Sequence, residues 1–155
     1  MNDLDSILTI IKNQRNRVII INQKYLDKYK RELQQNNIKL INLSFKLSEL
    51  LLHYNNEERE HEAWDILKTW MDSPENNSEE TIAFYDVDYM FSPEVGNLDP
   101  IKNFNYYSRD KQIIILFLNC KKIGNLLIYS TEGSPDYNEM DISMNEFVLG
   151  WETED

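Results

Sequence analysis

Residues 17–33, RVIIINQKYLDKYKREL, set how the rest of the chain is read. Val18-Ile19-Ile20-Ile21 is apolar and β-branched at consecutive positions, the pattern of a strand covered on both faces. The run stops at Asn22, and residues 24–35 are rich in Lys, Glu, Arg and Gln, which favour helix. A strand running straight into a helix opens an α/β unit. At such corners phosphate is held by the N–H groups of a glycine-rich turn, by the helix N-terminus and by a lysine. This corner, Asn22-Gln23-Lys24-Tyr25-Leu26, has the lysine and no glycine.

Outward from that corner, the apolar spacing predicts further elements in alternation. Leu4, Ile7, Leu8 and Ile11 predict a helix over 3–13, capped by Asn2 or Asp3, within an N-terminal segment 1–16. IKLIN (38–42) reads as a second strand, and LSFKLSELLLHY (43–54) as a helix with Ser44 as cap. A charged helix over 57–72 turns Ala63, Trp64, Leu67, Trp70 and Met71 inward, and a polar loop follows at 73–80. TIAFYDV (81–87) is the third strand. Asp99-Pro100 opens a short helix that runs to 108, with the proline at its first position. QIIILFL (112–118) is the fourth strand and NLLIYS (125–130) the fifth, antiparallel to the fourth if the turn between them is tight. A turn cluster covers 131–141. The extension 142–155 carries Met144, Phe147, Val148, Leu149 and Trp151, enough apolar surface to dock on a core. The expected architecture is one α/β domain over 1–155, an open, mostly parallel five-stranded sheet with helices on both faces.

Composition narrows the function classes. The chain has 155 residues and a formal charge of −11, from 16 basic and 27 acidic residues. Such a balance disfavours a phosphate-backbone binder unless the charge is very unevenly placed, so the expected partners are proteins rather than nucleic acid. No stretch approaches the roughly 18 apolar residues that span a bilayer, and the acidic start Met1-Asn2-Asp3-Leu4-Asp5 is unlike a leader, so no membrane partner is expected. Cys120 is the only cysteine, which excludes an internal disulfide and suits a reducing cytoplasm. With two histidines beside it no structural zinc site is expected, and HEAWD (61–65) lacks the second histidine of a zinc helix. Cys120 has no histidine neighbour to make it a nucleophile, and His53 reads as a core-boundary residue. Tyr106, Tyr107, Tyr129 and Tyr137 offer stacking faces for bases, but no basic groove is visible beside them in the sequence.

In open α/β sheets ligands collect beyond the carboxyl ends of the strands, here Asn22, Asn42, Asp86, Asp88 and Asn119. IAFYDVD (82–88) has the form of a Walker B element, an apolar strand ending in carboxylates that hold Mg²⁺ and orient water. Asn119 stands where a polar sensor of a γ-phosphate sits. Arg109, ahead of the fourth strand, is either a charge-stabilising arginine or half of a surface ion pair.

Three stretches together resemble one known family. They are NLSFKLSELLL (42–52), DVDYMFSPEVGNLDPIKNFNYYSRDKQIIILFLN (86–119) and YSTEGSPDY (129–137). In this order they are similar to the small P-loop proteins of type-three BREX phage-exclusion systems (BrxF-like), over roughly 38–140. The resemblance implies a P-loop NTPase-like fold, cytoplasmic and part of a bacterial defence complex with other protein subunits or copies of itself. It implies a remnant nucleotide site made of Lys24, Asp86, Asp88, Arg109 and Asn119. The family carries a glycine-rich, Lys-Ser/Thr loop after its first strand; here Gly96, Gly124, Gly133 and Gly150 all lie elsewhere. The expectation is therefore a non-catalytic subunit with no cofactor and no metal. Two alternatives remain: an ATPase subunit whose site, with ATP and Mg²⁺, is completed by a partner, with Arg109 acting in trans, and a small acidic inhibitor or immunity-type protein.

Overall fold

The computed structural model describes residues 3–151, so Asn2 and the acidic run 152–155 lie outside the described residues. In chain order the elements are α1 (Leu4–Ile11), β1 (Val18–Asn22), α2 (Leu26–Gln35), β2 (Lys39–Asn42), α3 (Leu43–Leu50), α4 (Asn56–Met71), α5 (Pro74–Asn77), β3 (Thr81–Tyr85), α6 (Pro100–Ser108), β4 (Ile113–Leu118), β5 (Lys121–Ile123), β6 (Leu126–Tyr129), β7 (Asn138–Asp141) and β8 (Val148–Leu149). Five strands form one parallel sheet of order β2-β3-β4-β1-β8. β1 pairs with β4 in the register Ile20 to Leu116 and with β8 in the register Ile20 to Val148.

The consecutive apolar residues of β1 are divided between two cores. Ile19 and Ile21 join Ile115 and Phe117 under α1 and α2, where Leu4, Ile7, Tyr29 and Leu33 are buried. Val18 and Ile20 join Phe84, Ile114 and Leu116 under α3, α4 and α6, against Leu47, Leu67 and Phe104. Each strand side chain is thus removed from water on its own face, and the burial favours this layering over any one-sided packing. Among the described residues no helix is long and apolar enough to cross a membrane.

Local chemistry explains most helix starts. Asp99 accepts from the Lys102 N–H at 2.9 Å, with Pro100 at the first helical position, as the sequence predicts. Asp3 precedes α1 without a side-chain cap; the Leu4 N–H instead donates to the Glu32 carboxylate on α2. Asn42, rather than Ser44, caps α3 by accepting from the Phe45 N–H, and the helix ends at Leu50. His53 beyond it is exposed, not at a core boundary.

The fifth strand differs from expectation. Residues Leu126–Tyr129 are extended but belong to a separate antiparallel sheet, β5-β6-β7, that includes part of the expected turn cluster. The link from β4 is too short for a parallel crossover, which needs about a dozen residues or more, so the chain folds back as a hairpin at Gly124 instead. Leu127 and Met140 bury this small sheet against the main core. The vacant place beside β1 is taken by Val148–Leu149, from the segment expected only to dock.

Candidate functional site

Beyond the carboxyl ends of the strands, polar side chains from three loops meet. The turn after β1 is a 3-10 turn, Gln23–Tyr25, rather than an open phosphate loop. Asn22 Oδ1 accepts from the Lys24 N–H at 3.2 Å, which occupies a donor that a phosphate nest would need. Asn22 Nδ2 donates to the Gly150 carbonyl at 3.2 Å. Gln23 Oε1 accepts from the Asp86 N–H at 2.8 Å. In the sheet order β4 lies between β1 and β3, so this side chain crosses over the end of β4.

Gly150 and Trp151 close the same corner. Gly150 has φ +96°, and a Cβ there would stand 2.7 Å from the Tyr25 ring and 2.9 Å from Asn22 Cβ. Trp151 Nε1 donates to the Cys120 carbonyl at 2.8 Å. Lys24 is exposed and its ammonium lies 5.2 Å from the centroid of the Tyr25 ring.

After β3, Asp86 adopts the left-handed region at φ +49°. Its carbonyl accepts from the Ser44 N–H at 2.8 Å and its carboxylate from the Ser44 hydroxyl at 3.3 Å. Ser44 Oγ in turn accepts from the Tyr89 N–H at 2.9 Å. Asp86 therefore ties the end of β3 to the start of α3. Asp88 is half-buried; its Oδ1 has no hydrogen-bond partner among the described residues, and the Tyr129 hydroxyl bonds its carboxyl group. Burial raises the Asp88 pKa above the ordinary carboxylate value, with Asp86 and Asp136 adding and Tyr129 opposing. Tyr129 stacks on Phe91 at 4.0 Å, and burial, with Asp88 next, pushes its hydroxyl up to about 12. The neighbouring Cys120 thiol is likewise pushed up to about 12 by burial first and by Asp88 and Asp99 second. At neutral pH it is a protonated thiol.

Four of the residues expected at a remnant nucleotide site are thus gathered at this end: Lys24, Asp86, Asp88 and the exposed Asn119. Arg109 is not. It follows α6 and precedes β4, a strand of six residues, which sets it at the amino end of the sheet, about 20 Å from the carboxyl end of that strand. Its guanidinium faces Tyr106 at 5.6 Å, and Nε is buried with no hydrogen-bond partner among the described residues.

No open phosphate loop is formed at this corner among the described residues. Glycine is absent from the turn, the Lys24 N–H is engaged, Gln23 bridges the end of the cleft, and Gly150 seals its side. Among the described residues no group of three His, Cys, Asp or Glu side chains is placed to hold a metal ion. Gln23, Ser44, Tyr129 and Gly150 escaped the sequence reading of this site. Ser44 and Gln23 were visible only as a cap and a corner residue, and Gly150 only as a glycine far along the chain. No family model, curated protein or solved structure matches the chain.

Proposed function

We propose that this chain is a non-catalytic, P-loop NTPase-like subunit that acts through protein contacts in a bacterial anti-phage defence assembly. The observation that carries the reading is the closed corner: Gln23 accepts from the Asp86 N–H, and Gly150 abuts Tyr25 and Asn22 where a phosphate loop would open. The sheet order supports it. β1 lies beside the central β4, which Asn119 follows, and next comes β3, which Asp86 and Asp88 follow. In P-loop enzymes an acidic strand end holds Mg²⁺ while a glycine-rich loop on a nearby strand cradles the phosphates. Here the acids remain and the cradle is replaced by side chains bonded to one another. The defence assignment rests on the ordered motifs of 42–52, 86–119 and 129–137.

Titration calorimetry with ATP, with and without Mg²⁺, tests the lost site. The expected result is no Mg²⁺-dependent binding at micromolar concentration and no ATP hydrolysis. Micromolar binding that requires Mg²⁺ and is weakened by Asp88→Asn would overturn the proposal.

A further inference from the structure

The acidic surplus of the chain is unevenly placed. At the amino end of the sheet a pocket of about 380 Å³ is lined by four cations, Arg15, Lys68, Arg109 and Lys111, against one acid, Asp110. It shares Trp64, Tyr106 and Arg109 with an adjoining groove of about 630 Å³ along α6. That is the size of a small-ligand cleft. The two aromatic residues differ in role. Trp64 is held edge-on to Phe104 at 5.3 Å and to Tyr107 at 6.5 Å, whereas Tyr106 is 72% exposed. Met144, 61% exposed, lines the same groove.

Arg109 is the anomaly in this setting. A buried donor on a cation ordinarily has an acceptor. Among the described residues its Nε has none, and it forms no ion pair, although acidic side chains outnumber basic ones in the chain. An anion in the pocket would meet the part of the Arg109 guanidinium that lines it, and a phosphate matches the fork of a guanidinium. The groove does not continue as a basic track. Asp99, Asp141 and one further cation, Lys102, line it too, and α6 sets Asp99 about 15 Å from Arg109. Acids there repel a second phosphate but accept hydrogen bonds from amino groups. The chemistry is that of a ligand with one anionic end and a flat, amino-bearing body.

We propose that this groove binds a nucleoside monophosphate. The phosphate lies at Arg109 among the other cations of the pocket, and the base stacks on Tyr106 in the α6 groove beside Trp64. Stacking on an exposed aromatic ring tolerates any base, and arginine beside it adds to the attraction. The site stands at the opposite end of the sheet from the closed corner and does not rest on the P-loop reading.

The test is calorimetry and tryptophan fluorescence on the full chain, without Mg²⁺, using AMP, GMP, CMP, UMP, adenosine, inorganic phosphate and a thymidine trinucleotide. At least one monophosphate is expected to bind with Kd on the order of 1 mM or tighter. Arg109→Ala is expected to weaken it about tenfold, and Tyr106→Ala about fivefold or more. Circular dichroism checks that both surface variants fold, and Lys68→Ala supplies a third, milder loss. Four results overturn the proposal. The first is silence from every monophosphate. A second is inorganic phosphate binding as tightly as the nucleotides, which leaves only an anion patch. A third is a trinucleotide binding more than about tenfold tighter, which makes the face a strand-binding surface. The last is binding that falls with Asp88→Asn but not with Arg109→Ala, which puts the ligand at the carboxyl end.

Discussion

At the carboxyl ends of the parallel strands, Asn22, Gln23, Ser44 and Asp86 bond to one another and to the backbone, and Gly150 is pressed against them. At the amino end of the same sheet, Arg109 keeps a buried donor without a partner among the described residues, and Tyr106 stands open to solvent. The first region spends its polar groups internally and is a seal. The second holds an exposed aromatic ring beside four cations and is the end proposed to bind a ligand. In an α/β sheet ligands usually gather beyond the carboxyl ends. Here the polar chemistry of that end has become structure, and the unspent chemistry lies at the other.

The contrast predicts that substitutions at the first end alter stability, while those at the second alter binding and little else. Gly150→Ala forces a Cβ into Tyr25 and Asn22 at a positive φ, and is expected to cost about 3 kcal/mol. That lowers Tm by roughly 6–12 °C for a chain of this size. Gly124→Ala, also at positive φ but with open space around it, is expected to cost about 1 kcal/mol. Equal losses from the two in thermal unfolding would mean that the corner is not sealed. Gln23→Ala leaves the Asp86 N–H without its acceptor and is expected to cost about 1 kcal/mol in urea unfolding. An unchanged midpoint would show that water replaces the glutamine freely, and the corner would then count as open.

Asp88 gives a smaller effect with a definite sign. Its folded pKa is raised, so its contribution to stability is fully present below the ordinary carboxylate range and is lost as pH rises through the folded pKa. Asp88→Asn should therefore raise Tm at pH 7 by about 2 °C, kept small by solvent screening, with no gain near pH 3. A variant less stable than the parent at pH 7 would contradict the desolvated-acid account. The smallest change belongs to Arg109→Ala, expected to shift stability by no more than about 0.5 kcal/mol. A loss of several degrees in its melting curve would make Arg109 a structural residue and remove the contrast.

How much of this was legible in the sequence depends on the range of the interactions. Val18-Ile19-Ile20-Ile21 announced a doubly covered strand because burial on both faces leaves no polar alternate. Asp99-Pro100 announced a helix start because a cap and a fixed φ act within one turn. Val148–Leu149 is too short for any periodic signal, and its strand character comes only from pairing with Ile20 and Ile21. Leu126–Tyr129 had the apolar content of a strand, but its sheet was decided by the length of the link before it. The acids after β3 were readable as a motif. The engagement of Asp86 by Gln23 and Ser44, and of Asp88 by Tyr129, was not, since those residues stand far away in the chain. The basic pocket was hidden for the same reason: Arg15, Lys68, Arg109 and Lys111 come from three separate segments and meet only in the fold.

The interior position of β1, between β4 and β8, also constrains how the chain folds. Both strands that flank it, β4 and β8, lie in the last third of the chain. VIIIN finds its sheet neighbours only through long-range contacts, Val18 with Ile114 and Ile20 with Val148, and such contacts form late in folding. Helices α1 and α2 can cover one of its faces in the interval, but its edges wait. A slow folding step is the expected consequence of placing the first strand inside the sheet between two late ones.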